Sequence, residues 1–235
     1  MKLLILFSNL HEAKLLLDWL KKGVSFDSEI KYLFQQSPES HYSFRQADMD
    51  IDLVITGNTM MDVSFQLGRI LSHKKYHLVL QLGLCTSYDA KLEIGELVSV
   101  INDKAGDVGI QDEHSFSNAY ESNQYQIDAY PHNRSGFINL TNAYFNVFLD
   151  IRKVASVTVN HQNRGAADLM HRKEDFNIHV ETSNGLGCAY ACLFQKQPFY
   201  QLRTIDFILP SKEMDKERAL ASLSEKAIEL IIKIS

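Results

Sequence analysis

Three carboxylates and two glycines stand where strand-like runs end. Glu12 comes just after the apolar run Leu3-Leu4-Ile5-Leu6-Phe7, Glu181 sits in a short β-rich stretch, and Asp206 follows Leu202-Arg203-Thr204-Ile205. Gly57 ends the β-rich run 51–56, and Gly83 ends the run 77–82. Open α/β sheets bind ligands outside the carboxyl ends of their strands, and a glycine there lets a ligand approach the backbone closely. A carboxylate so placed can give or take a proton during a reaction. Each group also has a plainer reading. Glu12 suits the first turn of a solvated helix, favoured by the helix dipole. Asp206 can pair with Arg203 or a nearby lysine. Ser183 and Asn184 precede the helical run that starts at Leu186, and both suit a helix cap.

Several kinds of chemistry lack a motif. There is no Gly-x-Gly-x-x-Gly, no Walker loop and no Gly-x-Ser-x-Gly elbow, so dinucleotide, P-loop and serine-hydrolase chemistry have no support. The nine histidines are scattered, and His73 and His77, four apart, straddle a helix end and a strand start, so no metal site is expected. No cofactor is expected either. A net charge of −5 without a long basic run argues against nucleic acid or an anionic membrane as a partner. Cys85, Cys188 and Cys192 are odd in number and form no Cys-x-x-Cys, which points to a reduced, cytoplasmic chain. Cys188 and Cys192, four apart on a helix, read as small core residues. The initial apolar run is short and is followed at once by His11, Glu12 and Lys14, so it reads as a buried strand rather than a signal peptide.

The elements that must position these groups alternate. Runs at 3–7, 30–34, 42–45, 51–56, 77–82, 96–101, 154–159, 179–181 and 199–205 are β-rich, with a turn at 37–40. Between them lie helical patterns. The first carries Leu10, Leu15, Leu16, Leu17 and Leu20 on one face, with Ser8 or Asn9 as cap, and the second turns Phe65, Leu67, Ile70 and Leu71 inward. Further helices are expected at 166–171, 186–194 and 216–234. The polar stretch from Asn102 to about Asn133 reads as a long loop, a length that is often functional. The alternation predicts one α/β domain over residues 1–235, with a largely parallel or mixed sheet covered on both faces.

Five segments in this order resemble the purine nucleoside phosphorylase/nucleosidase family. They are the start from Leu3 to Glu12, Ile55-Thr56-Gly57-Asn58-Thr59-Met60, Gln81-Leu82-Gly83-Leu84-Cys85-Thr86-Ser87-Tyr88-Asp89, the segment from Val180 to Cys192, and Leu202-Arg203-Thr204-Ile205-Asp206-Phe207. Ile94-Gly95-Glu96-Leu97-Val98, Asp107-Val108-Gly109-Ile110-Gln111-Asp112 and Thr158-Val159-Asn160 are similar to the futalosine hydrolase branch in particular. The resemblance implies a three-layer α/β/α sandwich with a mixed, partly barrel-like central sheet, a homo-oligomer, and hydrolysis of a purine nucleoside. For the futalosine branch it implies a place in menaquinone biosynthesis.

Breaking a ribosyl N–C bond builds positive charge on the sugar and negative charge on the base, as in glycoside cleavage. By resemblance, Glu12 is the carboxylate that activates water. The family's ribose-gripping Met-Glu pair falls on Ser183-Asn184, so the carboxylate there is replaced by an amide, with Glu181 three residues earlier as a further candidate ribose contact. The family's base-protonating Asp falls on Phe207, which has no polar group. Adjacent Asp206 takes its place only if the strand ends or bulges there, because neighbours in a regular strand face opposite ways. Gly57 and Gly83 each keep the first glycine of a substrate-binding turn, and Thr59 and Thr86, in place of second glycines, are expected to narrow the site. Gln81 stands where some phosphorylases carry a phosphate-binding Arg, which favours water as nucleophile. Phe7, Tyr88, Tyr120 and Phe207 are candidates to stack on a purine, or are ordinary packing residues. The competing expectation is a member that has lost turnover and binds a nucleoside or nucleobase.

Overall fold

The continuous apolar run at the start becomes a strand whose two faces are both covered. In the computed structural model, which describes residues 1–23, 41–46, 48–113, 115–126, 129–133, 136–161 and 177–235, β1 (Lys2–Phe7) lies between β3 (Met49–Ile55) and β4 (Leu78–Ser87), parallel to both. Leu3, Ile5 and Phe7 enter one core with α1 (Leu10–Gly23) and the terminal helix α5 (Lys216–Ile234). Leu4 and Leu6 enter another with α2 (Met60–His73) and α4 (Gly185–Phe194). The result is three layers, helices on either side of a sheet. The strand at 30–34, the turn at 37–40 and the helix at 166–171 lie outside the described residues.

Beyond β4 the sheet closes on itself. β4 pairs parallel with β11 (Phe199–Ile208), which pairs antiparallel with β5 (Leu97–Ala105). β5 runs parallel to β9 (Arg152–Thr158), β9 parallel to β10 (Val180–Thr182), and β10 returns antiparallel to β4. This five-stranded mixed barrel shares β4 with the open sheet, where β2 (His41–Gln46) forms the far edge. All five strands send apolar side chains into one cluster containing Cys85, Val98, Val100, Val154, Val180 and Ile205, which fills one end of the barrel interior.

Some side chains sit differently from the helical expectation. Phe65 is 57% exposed, and Leu10 and Leu15 are also exposed, while Val63 and Ala13 take the buried places. The stretch after Asn102 is also more ordered than a loop. β5 continues through Ala105, and a hairpin of β6 (Gly109–Gln111) and β7 (Phe116–Asn118) follows. Asn102, Asp103 and Lys104 hid that strand because a register shift between Val100 and Asn102 breaks the alternation and turns Asp103 into the barrel. β8 (Phe137–Ile138) then pairs with β5, and the one-turn helix α3 (Phe145–Phe148) follows.

Several groups that could have done chemistry serve the fold instead. Asp52 is held by Ser43, Lys74 and Tyr76, and despite its burial these bonds and His41 keep its carboxyl well below the usual range. Cys188 and Cys192 are buried on α4 with sulfurs 4.0 Å apart. His77 accepts the Lys2 N–H through Nδ1. Among the described residues no group of three or more His, Cys, Asp or Glu could hold a metal ion, and no helix is long and apolar enough to cross a membrane.

Candidate active site

The site lies where β4 changes neighbours. β1 pairs with β4 from Leu78 to Gln81, and β10 takes the same edge only at Thr86 and Ser87. The residues between, 82–85, keep β11 on one side and open on the other, a crevice of the kind in which α/β sheets bind ligands. Gly83 is at its centre, with Arg203 of β11 directly beside it.

Glu12 reaches this crevice from the first turn of α1. Asn9 caps the helix: its Oδ1 accepts the Glu12 N–H at 3.0 Å, and its Nδ2 donates to Glu12 Oε1 at 2.9 Å. Glu12 Oε2 is buried without a partner. Burial pushes the Glu12 carboxyl above its usual range, offset in part by Arg203, Asn9 and Lys216, and the charge of Asp206 pushes it further up.

Arg203 is 1% exposed. Its Nη2 donates to Asn184 Oδ1 at 2.9 Å, while its Nε is buried and unpartnered. A methyl on Gly83 would lie 2.4 Å from Arg203 Nη1 and 3.2 Å from Glu12 Oε2, so the glycine leaves room for the guanidinium and carboxylate to face each other. Gly83→Ala is therefore expected to displace Arg203 from Asn184. The cost should be about 1–3 kcal/mol, as for other overpacked sites, read by thermal unfolding, with loss of any activity or ligand binding that needs the pair.

Asn184 is the hub. Its Nδ2 donates to Ser8 Oγ at 2.8 Å and to the Gly57 carbonyl at 3.4 Å, and its Oδ1 also accepts from Gln81 at 3.2 Å. It occupies the N-cap position of α4, yet its side chain makes no capping bond. Its amide is spent on the protein, chiefly on orienting Arg203. Gly57 has φ +102°, a conformation that favours glycine, and a side chain there would collide with Asp62 at 2.7 Å. Thr59 forms a capping box with Asp62 at the start of α2. Thr86 lies on β4 opposite Phe207 and Glu181.

The register of β11 shifts between Ile205 and Phe207, so Asp206 is the bulged residue and is released from strict alternation. It is half-buried, and its charge acts on both Glu12 and Cys85. Phe207 beside it is half-buried as well, in register with Thr86. Glu181 is 5% exposed, and its carboxylate accepts from the Tyr88 hydroxyl. Ser183 is half-buried at the bend before α4. The structure thus brings Glu12, Gly83 and Asn184 around one buried arginine, with Gly57 bonded to Asn184 and the charge of Asp206 acting on Glu12. Of the aromatic candidates, Phe7 is core and Tyr120 packs edge-on against Tyr125 and His132.

Arg203 is the residue that sequence reasoning weighed only as a counter-ion for Asp206. Its place in the Arg-Thr-Ile-Asp strand end was the available signal. Chemically, a buried carboxylate oxygen and a buried guanidinium, both with unused bonding capacity, can hold a small polar molecule between them and take a proton from it.

No protein-family model matches the chain, and no curated relative does. Solved structures match it over nearly its full length. One is the Campylobacter jejuni 5'-methylthioadenosine/S-adenosylhomocysteine nucleosidase, 18% identical, with 99% of each chain covered and a TM-score of 0.77. Another is the futalosine hydrolase of Helicobacter pylori, 14% identical, covering 99% of this chain and 98% of that one, with a TM-score of 0.77. A third is the methylthioadenosine/S-adenosylhomocysteine nucleosidase of Colwellia psychrerythraea in complex with adenine, 17% identical, covering 100% and 94%, with a TM-score of 0.71. The open sheet fused to a five-stranded barrel through β4 is accordingly the nucleoside phosphorylase/nucleosidase fold.

Proposed function

We propose that this chain hydrolyses the N-glycosidic bond of a purine nucleoside, of the futalosine type. The observation that carries the reading is the free, buried Oε2 of Glu12, which faces Arg203 across Gly83. A water held there would lose its proton to Glu12 as it attacks the sugar. The departing base gains electron density, and Asp206, at the bulge in β11 and near enough for its charge to act on Glu12, is the proposed group that in its protonated form donates to it. Ser183 and Glu181 are the proposed ribose contacts, and Asn184 contributes by holding Arg203 in place. Water rather than phosphate is the proposed nucleophile, since Gln81 is a neutral residue engaged with Asn184.

A second reading has a specific observation behind it. Asn184 carries no charge to stabilise a sugar cation, and its amide is committed to Ser8, Gln81 and Arg203. A site of that kind suits a protein that binds a nucleoside or nucleobase without cleaving it. Chromatography separates the two. The expected result is base release, at the same rate with and without phosphate, from one or more of futalosine, methylthioadenosine, adenosylhomocysteine, inosine and adenosine. No release from any of them, with saturable binding by calorimetry, would replace the hydrolase with the binding module.

A further inference from the structure

The first turn of α4 is capped by hydroxyls of the barrel strands β9 and β10. The Gly185 N–H donates to Thr182 Oγ1 at 3.2 Å, and the Leu186 N–H to Thr158 Oγ1 at 2.9 Å. The two hydroxyls lie 3.0 Å apart. Thr158 in turn donates to the Asp103 carboxylate, 3.0 and 3.1 Å from its two oxygens. Gln201 Nε2 donates to the Gly185 carbonyl. Asp103 is 1% exposed, inside the barrel, and so close beneath α4 that a methyl on Gly185 would lie 2.5 Å from its Oδ2.

This is a costly way to cap a helix. An unpaired carboxylate resists burial, and burial pushes Asp103 up to about 7 in spite of Thr158 and the field of Arg203. An ordinary N-cap would use the side chain of Asn184 itself. The strand-borne cap frees that amide to face the other way, onto Ser8, Gln81 and Arg203. We propose that Asp103 is a positioning residue of the active site, which fixes the start of α4 through Thr158 and Thr182 and so aims Asn184 at Arg203. The proposal rests on the hydrolase reading for its kinetic test alone.

Thr158→Val removes the relay hydroxyl at nearly constant volume and charge. It is expected to lower kcat at least about tenfold with KM within about threefold, the pattern of a lost transition-state interaction. Thr158→Ser should restore the wild-type rate to within about twofold, because the hydroxyl is what matters. A folded Asp103→Ala should behave like Thr158→Val. The second readout needs no turnover: 13C NMR titration of the Glu12 carboxyl. With Arg203 released from Asn184, the Glu12 midpoint should rise by about half a unit or more in Thr158→Val, since a nearby cation is what lowers it. A folded Thr158→Val with wild-type kcat, or with an unmoved Glu12 midpoint, overturns the proposal. If the wild type cleaves no nucleoside, the hydrolase reading fails, and the NMR midpoint alone decides for or against Asp103.

Discussion

Glu12→Gln is expected to lower phosphate-independent base release by about 10²- to 10⁴-fold, the usual worth of a positioned general base. The glutamine keeps the shape of the side chain and its bond from Asn9, and loses only the ability to take a proton. The wild-type profile should carry the mark of the same group. Burial holds the Glu12 carboxyl above the ordinary range, so activity should rise with pH through a midpoint higher than that of an exposed glutamate. The stability effect runs the other way. A carboxyl whose folded pKa is raised keeps its proton longer in the folded state, so its contribution falls as pH climbs from the unfolded value through the folded one. Glu12→Gln removes that penalty and should melt no lower than the wild type at neutral pH. A variant that loses activity while keeping its melting temperature identifies the base. One that retains more than about a tenth of the wild-type rate would take the role from Glu12.

Arg203→Met should be the most destabilising single change at the site. It leaves Glu12 and Asp103 buried without the cation whose field acts on both. Breaking a buried charge arrangement from one side costs about 3–5 kcal/mol, which for a chain of this size lowers Tm on the order of 10 °C. Base release should fall with it, because Glu12 loses the neighbour that lowers its pKa and stays protonated over a wider range. Arg203→Lys separates charge from shape. An ammonium returns the charge without the planar fork that serves Asn184, so it should regain part of the stability and little of the rate. A melt of Arg203→Met within about 2 °C of wild type would show that the buried carboxylates do not depend on it.

The open sheet was legible in the sequence because its central strand, β1, is apolar on both faces. Leu3 to Phe7 feed two cores at once, and that leaves a continuous run. The barrel was less legible because its interior is polar toward one end. Asp103, Thr158, Gln201 and Arg203 all sit inside it; β9 and β11 still read as strands, but the end of β5 that carries Asp103 reads as a loop. Glu12 and Gly57 stood out as residues just past strand ends, whereas Gly83, expected at one, lies inside β4, which runs on to Ser87 with β11 beside it. The bulge at Asp206 was stated as a condition, and no residue in that run announces it. Arg203 escaped because its neighbour across the ladder, Gly83, is far away in sequence, and only closure of the barrel puts them together. The inward placement of Phe65 failed for a different reason. Val63 and Leu67 fill the buried face of α2 and leave the ring outside.

Ring closure also dictates the order in which a working site can come into being. A chain emerging from synthesis makes Glu12, Gly57 and Gly83 early, on or just after β1, β3 and β4, which pair with one another within the first half of the chain. Asn184 and Arg203 belong to β10, β11 and the turn between β10 and α4, which must travel back to both edges of β4. Contacts between distant segments pay their loop entropy before they return any energy, and they form slowly. The pairing that completes the site is thus the same long-range pairing that completes the molecule. A ligand bridging Glu12 and Arg203 would bind the finished chain and no earlier species, and so would pull the last step of folding forward.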